Sequence, residues 1–563
     1  MITTAALLAG LGLGTAVQAD TFIWDGDSGV DSNWNTPNNW TANSGSPGAA
    51  DSARWTGGST PSPTTVDLSQ AEAATDLQIV NKEVTFNLNN FALTVGAVSS
   101  TVDDDGGHAI FNGPGSVSFG ATVKLGLNLP DTPVLAGHSR ITAQGGATVT
   151  TSAGLTLGDY RGGGIATVDG NGTVWNNSGA VLFARTGSGN TYTQPRAQMF
   201  ITDGGHFNHD TDSGAFTVAS GNYDARIDVD GVGSQLNFTG NSSHNILIGV
   251  YQTSAGSTWN ITDGGLVSST TTIGLSQNNQ NNTADVNTFN ISGNGAKMTA
   301  PVIVVSGRSG SDVNRGPVVV NLGVGGILEG TDFDGSDRSI AVGDRGRLSL
   351  QGGTVSLVAG KRLTLRDSDG AADGNRATLE GFGTITGGHV YAEIDTRISP
   401  GVSGTGTIQV QNGNLVTLST DVEMLWDFST DDGSHDSLQM LADSQSATIA
   451  GLISYTNLGA GNTASGILDF VLADSITYDG ASSALTAGDI PLNTDNLDSV
   501  MAAAGYTRVF SAPANVGEYR YLIATDAVGS LDALRLEIFG VIPEPASLSL
   551  LALGGVMLIR RRR

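Results

Sequence analysis

A glycine-centred motif returns along this chain at a near-constant spacing, and that regularity restricts the fold more than any other feature. It reads VDGNGTVW at 168–175, ITDGGHF at 201–207, VDGVGSQLNF at 229–238, ITDGGLV at 261–267 and ISGNGAKM at 291–298. Looser copies sit at 113–116, 144–149, 322–328, 350–355, 381–385 and 404–408. The second glycines are Gly115, Gly146, Gly172, Gly205, Gly233, Gly265, Gly295, Gly326, Gly353, Gly383 and Gly406, at intervals of 31, 26, 33, 28, 32, 30, 31, 27, 30 and 23 residues. A period near thirty, held this long, is the signature of a solenoid.

Each copy has a physical reading. A β-branched residue leads in, Gly-x-Gly or Asp-Gly-Gly supplies positive φ for a tight turn, and a short Thr/Ser/Val strand leads out. Helical periodicity is absent between the copies, so each repeat holds two or three short strands. One such unit cannot bury its apolar side alone, and neighbours stack edge to edge. Tandem β-sandwiches with many glycine turns are the competing fold, but sandwiches do not hold one motif at one period. The expected fold class is all-β, a parallel β-helix or β-solenoid with ~30-residue repeats.

Composition agrees. Glycine accounts for 79 of 563 residues, about twice ordinary usage. Of the 53 acidic residues, 44 are Asp and nine are Glu, and Asp favours turns where Glu favours helices. The net charge of −27 argues against nucleic acid and anionic membrane surfaces as partners. Cysteine is absent, which removes disulfides and thiolate metal sites.

Residues 5–17 form an apolar run of signal-peptide length, followed by Val17-Gln18-Ala19, with cleavage expected between Ala19 and Asp20. No Lys or Arg precedes the run, a departure from the usual pattern. Four of the seven tryptophans, Trp24, Trp34, Trp40 and Trp55, then fall among Asn, Gly, Asp and Pro. They read as the core of a cap over the first coil, or as a face on which sugars stack. The order Trp24-Asp25-Gly26, Asn39-Trp40, Pro47, Asp51-Ser52-Ala53 resembles the opening of bacterial surface proteins with autotransporter-associated β-strand repeats, and the V-D-G-x-G-S and I-T-D-G-G wording resembles the same family. That resemblance implies a right-handed parallel β-helix and no catalytic residues.

Motifs for chemistry are sparse. The seven His are scattered, only His206 and His209 are close, and H-E-x-x-H, G-x-S-x-G, P-loop and dinucleotide fingerprints are all missing. Stacked Asp turns can bring two carboxylates together for glycoside cleavage, but coil neighbours lie a whole period apart in the chain. No cofactor is implied; the one ion to consider is calcium. Asp367, Asp369, Asp373 and Glu380 match D-x-[DN]-x-[DN]-G-x5-E from Asp369, except for Ala371 at the third position. Oxygen ligands at that spacing suit calcium, and a solvated Asp/Gly turn is the competing reading. The acids at 103–105 and Asp332, Asp334 and Asp337 read the same way.

The period is lost after Gly406. Residues 401–418, after Ile398-Ser399-Pro400, resemble the S-P-G stretch that ends many passenger-type β-helices. A helix is expected at 497–504, with Asp495 or Asn496 as its cap, and a hairpin around Gly529. The chain then ends in Pro543-Glu544-Pro545, an apolar run at 546–559, and Arg560, Arg561, Arg562 and Arg563. This resembles the PEP-CTERM sorting signal, also described as an ice-binding protein C-terminal domain. It implies a short C-terminal transmembrane helix and processing near Pro-Glu-Pro by an exosortase-type membrane enzyme. Fourteen helical residues cover about 21 Å, short of a ~30 Å hydrocarbon core. Snorkelling arginines and a few preceding apolar residues make up the difference.

The expected layout is a signal peptide at 1–19, a Trp-rich N-terminal cap at 20–75, solenoid repeats at 76–411, a C-terminal β region at 412–540 and the sorting signal at 541–563. The expected function is a structural, adhesive or extracellular-matrix role, exported and displayed at the cell surface, with the exosortase-type enzyme and extracellular polysaccharide or other cell-surface material as partners. A glycan-binding or polysaccharide-degrading β-helix is the first alternative, to be recognised by acids, Arg and aromatics in register on consecutive coils. Ice binding needs a flat array of Thr-x-Thr rows, and the fragments at 148–151 and 270–272 are too few.

Overall fold

In the computed structural model the chain is all-β, a solenoid of stacked parallel coils. The structure describes residues 20–540, apart from 27–30, 42–44, 57–62, 97–100, 103–105, 126–137, 159–162, 184–196, 219–224, 242–245, 249–255, 276–285, 307–316, 332–337, 367–375, 403, 418–420, 441–444, 451, 460–464 and 479–495. A typical coil has three strands, as in Ala225–Asp230, Gln235–Thr239 and Ile246–Ile248. Each pairs in parallel with its counterpart one coil away, so the strands form three faces. Faces one and two belong to a single 31-stranded sheet folded at the glycine corner, and face three is a 17-stranded sheet. Two strands, Gly346–Leu357 and Ala377–Thr386, run through that corner without a break.

Strict alternation along each strand fills the interior. On face one Ile227, Trp259, Phe289, Val320 and Leu348 stand one above another, all 0–1% exposed. On face two Trp175, Phe207, Leu236, Val267 and Met298 do the same. Parallel strands joined coil by coil leave no backbone pairing to sequence-local turns, so apolar burial in register holds the stack.

The glycine corner is finer than the sequence suggests. Four-residue turns, at 170–173, 231–234 and 293–296, alternate with three-residue turns at 203–205, 263–265 and 324–326. In Asp-Gly-Gly, Asp263 (φ 47°) and Gly264 (φ 93°) carry the positive φ. The last glycine is there for another reason: a Cβ on Gly265 would lie 2.1 Å from the Val229 carbonyl oxygen of the coil below. The residue after Gly-x-Gly also reaches across coils, since Ser234 Oγ accepts the Gly204 amide at 3.0 Å.

Parallel stacking begins before residue 76, with Thr21–Ile23 against Ser52–Trp55. Asp20 already bonds to this pair, its amide donating to Asp51 Oδ1 at 3.2 Å. Trp24, Trp34, Trp40 and Trp55 are at most 2% exposed and packed on each other with ring centroids 5.0–6.2 Å apart. Trp55 also lies against Phe86, 5.2 Å away. Buried rings of this kind present no face on which a sugar could stack.

Stacking also continues past residue 411, where the glycine period fails. Glu423–Phe428 pairs in parallel with Leu452–Asn457, and Ser446–Ile449 with Ser475–Tyr478. The stack is then closed by antiparallel strands, Gly466–Ala473 against Leu531–Phe539 and that strand against Glu518–Val528. Gly529 and Ser530, both with positive φ, make the hairpin turn expected from the sequence. The helix, α1, spans Leu497–Ala503 and buries Leu497 and Met501. Asn496 precedes it as expected, but its side chain makes no capping bond. It instead accepts the Tyr455 amide at 2.8 Å and donates to the Tyr455 carbonyl at 2.7 Å. A side-chain amide there takes the place of the next strand.

The corner geometry sets a test. Gly265→Ala should lower stability by about 1–3 kcal/mol, the usual range for overpacking against a fixed neighbour. Gly466→Ala, with nothing within 4 Å of its Cβ, should leave the chemical-denaturation midpoint unchanged.

Candidate functional site

The outward positions of faces one and two carry polar side chains in register, and they bond along the stack. On face one Asn260 Nδ2 donates to Asp228 Oδ1 at 2.7 Å, Asn290 Nδ2 to Asn260 Oδ1 at 2.9 Å and Asn321 Nδ2 to Asn290 Oδ1 at 2.9 Å. On face two Asn208 donates to Asn176 at 2.9 Å, Asn237 to Asn208 at 3.0 Å and Ser268 to Asn237 at 2.6 Å. A third ladder, Asn112 to Asn87 to Asp67, runs near the first coils at 3.0 and 2.8 Å. Each amide spends one N–H on its neighbour, and Asn237 spends its second on Gln235 Oε1 at 3.1 Å.

Toward the N-terminal half, face one opens into a shallow cleft of about 440 Å³ lined by His108, His138, Arg140, Thr142, Ile165, Thr167, Gln198 and Phe200. Two outward rows make it. His108, Arg140, Ile165, Gln198 and Arg226 form one, and Ile110, Thr142, Thr167, Phe200 and Asp228 the other. The His108 ring is fixed at both nitrogens, with Nδ1 3.2 Å from Glu83 Oε2 and Nε2 2.9 Å from Thr142 Oγ1. Burial holds its pKa below the usual histidine value, against the opposing pull of Glu83. With a neutral ring, Nδ1–H donates to the carboxylate and Nε2 accepts the hydroxyl. His138 pairs with Gly163, where any Cβ would lie 2.2 Å from the ring. At the far end Arg226 Nε donates to both Asp228 oxygens, at 3.0 and 2.9 Å, and its guanidinium lies 5.8 Å from the Phe200 ring centre.

Other titratable groups serve the fold. His206 and His209 are three apart on one strand, so they point to opposite sides. His209, 0% exposed, accepts from Asn177 Nδ2 at Nδ1 and donates from Nε2 to the Gly214 carbonyl, both at 2.9 Å. Burial pushes its pKa down to about 4. Asp436, also 0% exposed, accepts the amides of Gly406 and Asp427, both at 2.8 Å. It shapes the corner where the glycine motif is missing. Burial pushes its pKa up to about 7, and Asp427 beside it adds to the rise.

Of the candidate calcium ligands, Asp367, Asp369 and Asp373 lie outside the described residues. Glu380 is on face one, paired with Arg347 Nε at 2.5 Å. Among the described residues no three potential metal ligands come together. Ala19 and the tail residues Pro543, Glu544, Pro545 and Arg560, Arg561, Arg562 and Arg563 also lie outside the described residues. No described helix is long and apolar enough to cross a membrane. The cleft itself was missed from the sequence, because its residues come from repeats of unequal length. Only the register shows that Arg140 and Gln198 share a row.

The two buried groups predict opposite pH effects. His209 favours its neutral form in the fold, so its contribution is present above pH ~6.5 and is lost as pH falls through about 4. Asp436 favours its protonated form, so its contribution is full below pH ~4 and is lost as pH rises through about 7. In melting-temperature profiles, His209→Gln should flatten the acid-side loss, and Asp436→Asn the loss between pH 4 and 7. No family model matches this chain, and no curated protein matches its sequence.

Proposed function

We propose that the chain is an exported protein displayed at the cell surface, with the solenoid as a stiff structural and adhesive rod for extracellular polysaccharide. The observation that carries this reading is the set of outward ladders, mostly of Asn, in register along two faces. They repeat similar donors and acceptors about every 4.8 Å along the rod. A periodic polymer meets many weak contacts at once on such a surface, and linked contacts multiply avidity. Continuous threonine rows, as an ice-binding plane needs, are a poorer description. The aligned Thr258 and Thr288 are flanked in their row by Arg226 and Val319.

The rest of the reading follows from the two ends. The four packed tryptophans close the apolar interior at the first coils, as a cap must. Residues 1–19 bring the chain to export, and 541–563 hold it in the membrane until an exosortase-type enzyme cuts. Pro543 and Pro545 cannot continue a helix, because proline lacks the amide donor and restricts its neighbour. That leaves an extended segment for the enzyme at the outer boundary. Arginines at the far end resist passage through the apolar core, at roughly 2.5–3.5 kcal/mol each.

Mass spectrometry of the surface fraction from the native host tests this. The mature protein should begin at Asp20 and lack everything after about Pro545, and replacing Pro543-Glu544-Pro545 should trap the full-length chain in the membrane. A surface-fraction peptide that ends in Arg563 would reduce the tail to an ordinary anchor. Recovery of the chain from the cytoplasm alone would sink the export reading.

A further inference from the structure

The cleft on face one differs from the rest of the polar rod because it holds an exposed guanidinium that no carboxylate contacts among the described residues. Glu83 is turned to His108, and Asp228 holds the Arg226 guanidinium through both oxygens. Arg140, exposed in the middle of the row, has no carboxylate partner among the described residues. The chain carries a net charge of −27, so a guanidinium without a carboxylate contact inside a concave site is a specific feature and not a general basic surface. Beside it the floor changes character. Ile165 follows Arg140 in its row, and Phe200 follows Thr167 in the next. Both are partly exposed.

We propose, building on the polysaccharide-adhesion reading above, that this cleft is a subsite for an acidic polysaccharide whose rings carry carboxylates. Arg140 receives the carboxylate, since its planar fork matches two oxygens at once. Ile165 and Phe200 take the apolar face of a sugar ring, and the Arg226 guanidinium beside Phe200 keeps that ring in place. Thr167 and Gln198 meet hydroxyls.

The shape points to a polymer and not to a small acid. The cleft crosses the strands that carry His108, Arg140, Ile165 and Gln198, which are successive coils. Three inter-strand steps span about 14 Å, the scale of a short run of pyranose rings laid along the rod. The polar ladder that starts at Asp228 continues the same row beyond Phe200, so a longer chain stays in contact with the face. Nucleic acid is disfavoured, because it needs many cations to release its counterions.

The test is affinity electrophoresis of the protein in native gels containing polygalacturonate, neutral dextran or dextran sulfate. Polygalacturonate should retard the wild type, dextran should not, and dextran sulfate should do so more weakly. Arg140→Gln should weaken polygalacturonate binding about tenfold, the size of a lost charge-assisted bond. Arg140→Lys, which keeps the charge without the fork, should fall between. Phe200→Ala should also bind more weakly, while Lys297→Gln on face two should match the wild type. Equal melting temperatures show that each variant is folded. Wild-type binding by Arg140→Gln, or equal retardation by dextran sulfate, overturns the carboxylate subsite. Retardation by dextran alone overturns it too, yet leaves polysaccharide adhesion standing. Binding to none of the three overturns the subsite, while the surface fractionation above decides the export reading independently.

Discussion

Everything in this structure depends on the close approach of one coil to the next at the glycine corner. Parallel strands about 4.8 Å apart leave a fixed gap, and at the corner backbone fills it. The 2.1 Å between a notional Gly265 Cβ and the Val229 carbonyl shows the margin to be less than one methyl group. From residue 170 to 326 three-residue and four-residue turns alternate, so each of these corners meets an unlike one. Once the corner is set, strand register follows, and with it the alternation that sends Trp259 and Phe289 inward while Asn260 and Asn290 face out.

A stack of this kind has two ends that the repeat cannot satisfy. Near the first, four tryptophans are buried against one another, and each well-oriented aromatic pair adds about 0.5–1.5 kcal/mol beyond its burial. At the other, the solution is polar. Asn496 supplies both a donor and an acceptor to Tyr455, and antiparallel strands cover the last parallel edge. Unpaired strand edges recruit other chains, so these devices keep a long stack from growing by addition. Where the glycine motif gives out, Asp436 ties down the corner with two amide bonds, at the cost of burying a carboxyl group.

The same register that builds the core arranges the surface. Side chains at like positions of successive coils come within bonding distance, so a weak preference for Asn at one position becomes a continuous ladder. The cleft arises where that row changes to His, Arg, Ile and Gln. Glu83 is engaged by His108 and Asp228 by Arg226, and Arg140 is left without a carboxylate partner among the described residues. Face one thus passes from a uniform ladder to a chemically distinct site without any change in backbone.

Sequence alone determined the solenoid, because a glycine period near thirty has few other solutions. It also determined the closing hairpin at Gly529, through its positive φ, and the place of the single described α-helix. Other features were decided only by the tertiary structure. The stack runs on beyond 411, where Asp436 holds the corner by accepting the Gly406 and Asp427 amides, and no local pattern announces that. The last glycine of Asp-Gly-Gly answers to a carbonyl from the neighbouring coil, not to its own φ. Glu380, a plausible calcium ligand by spacing, is paired with Arg347 from 33 residues away. The cleft was hidden for the same reason: repeats of 26 to 33 residues bring Arg140 beside Ile165 only when the strands pair, and pairing is a property of the fold.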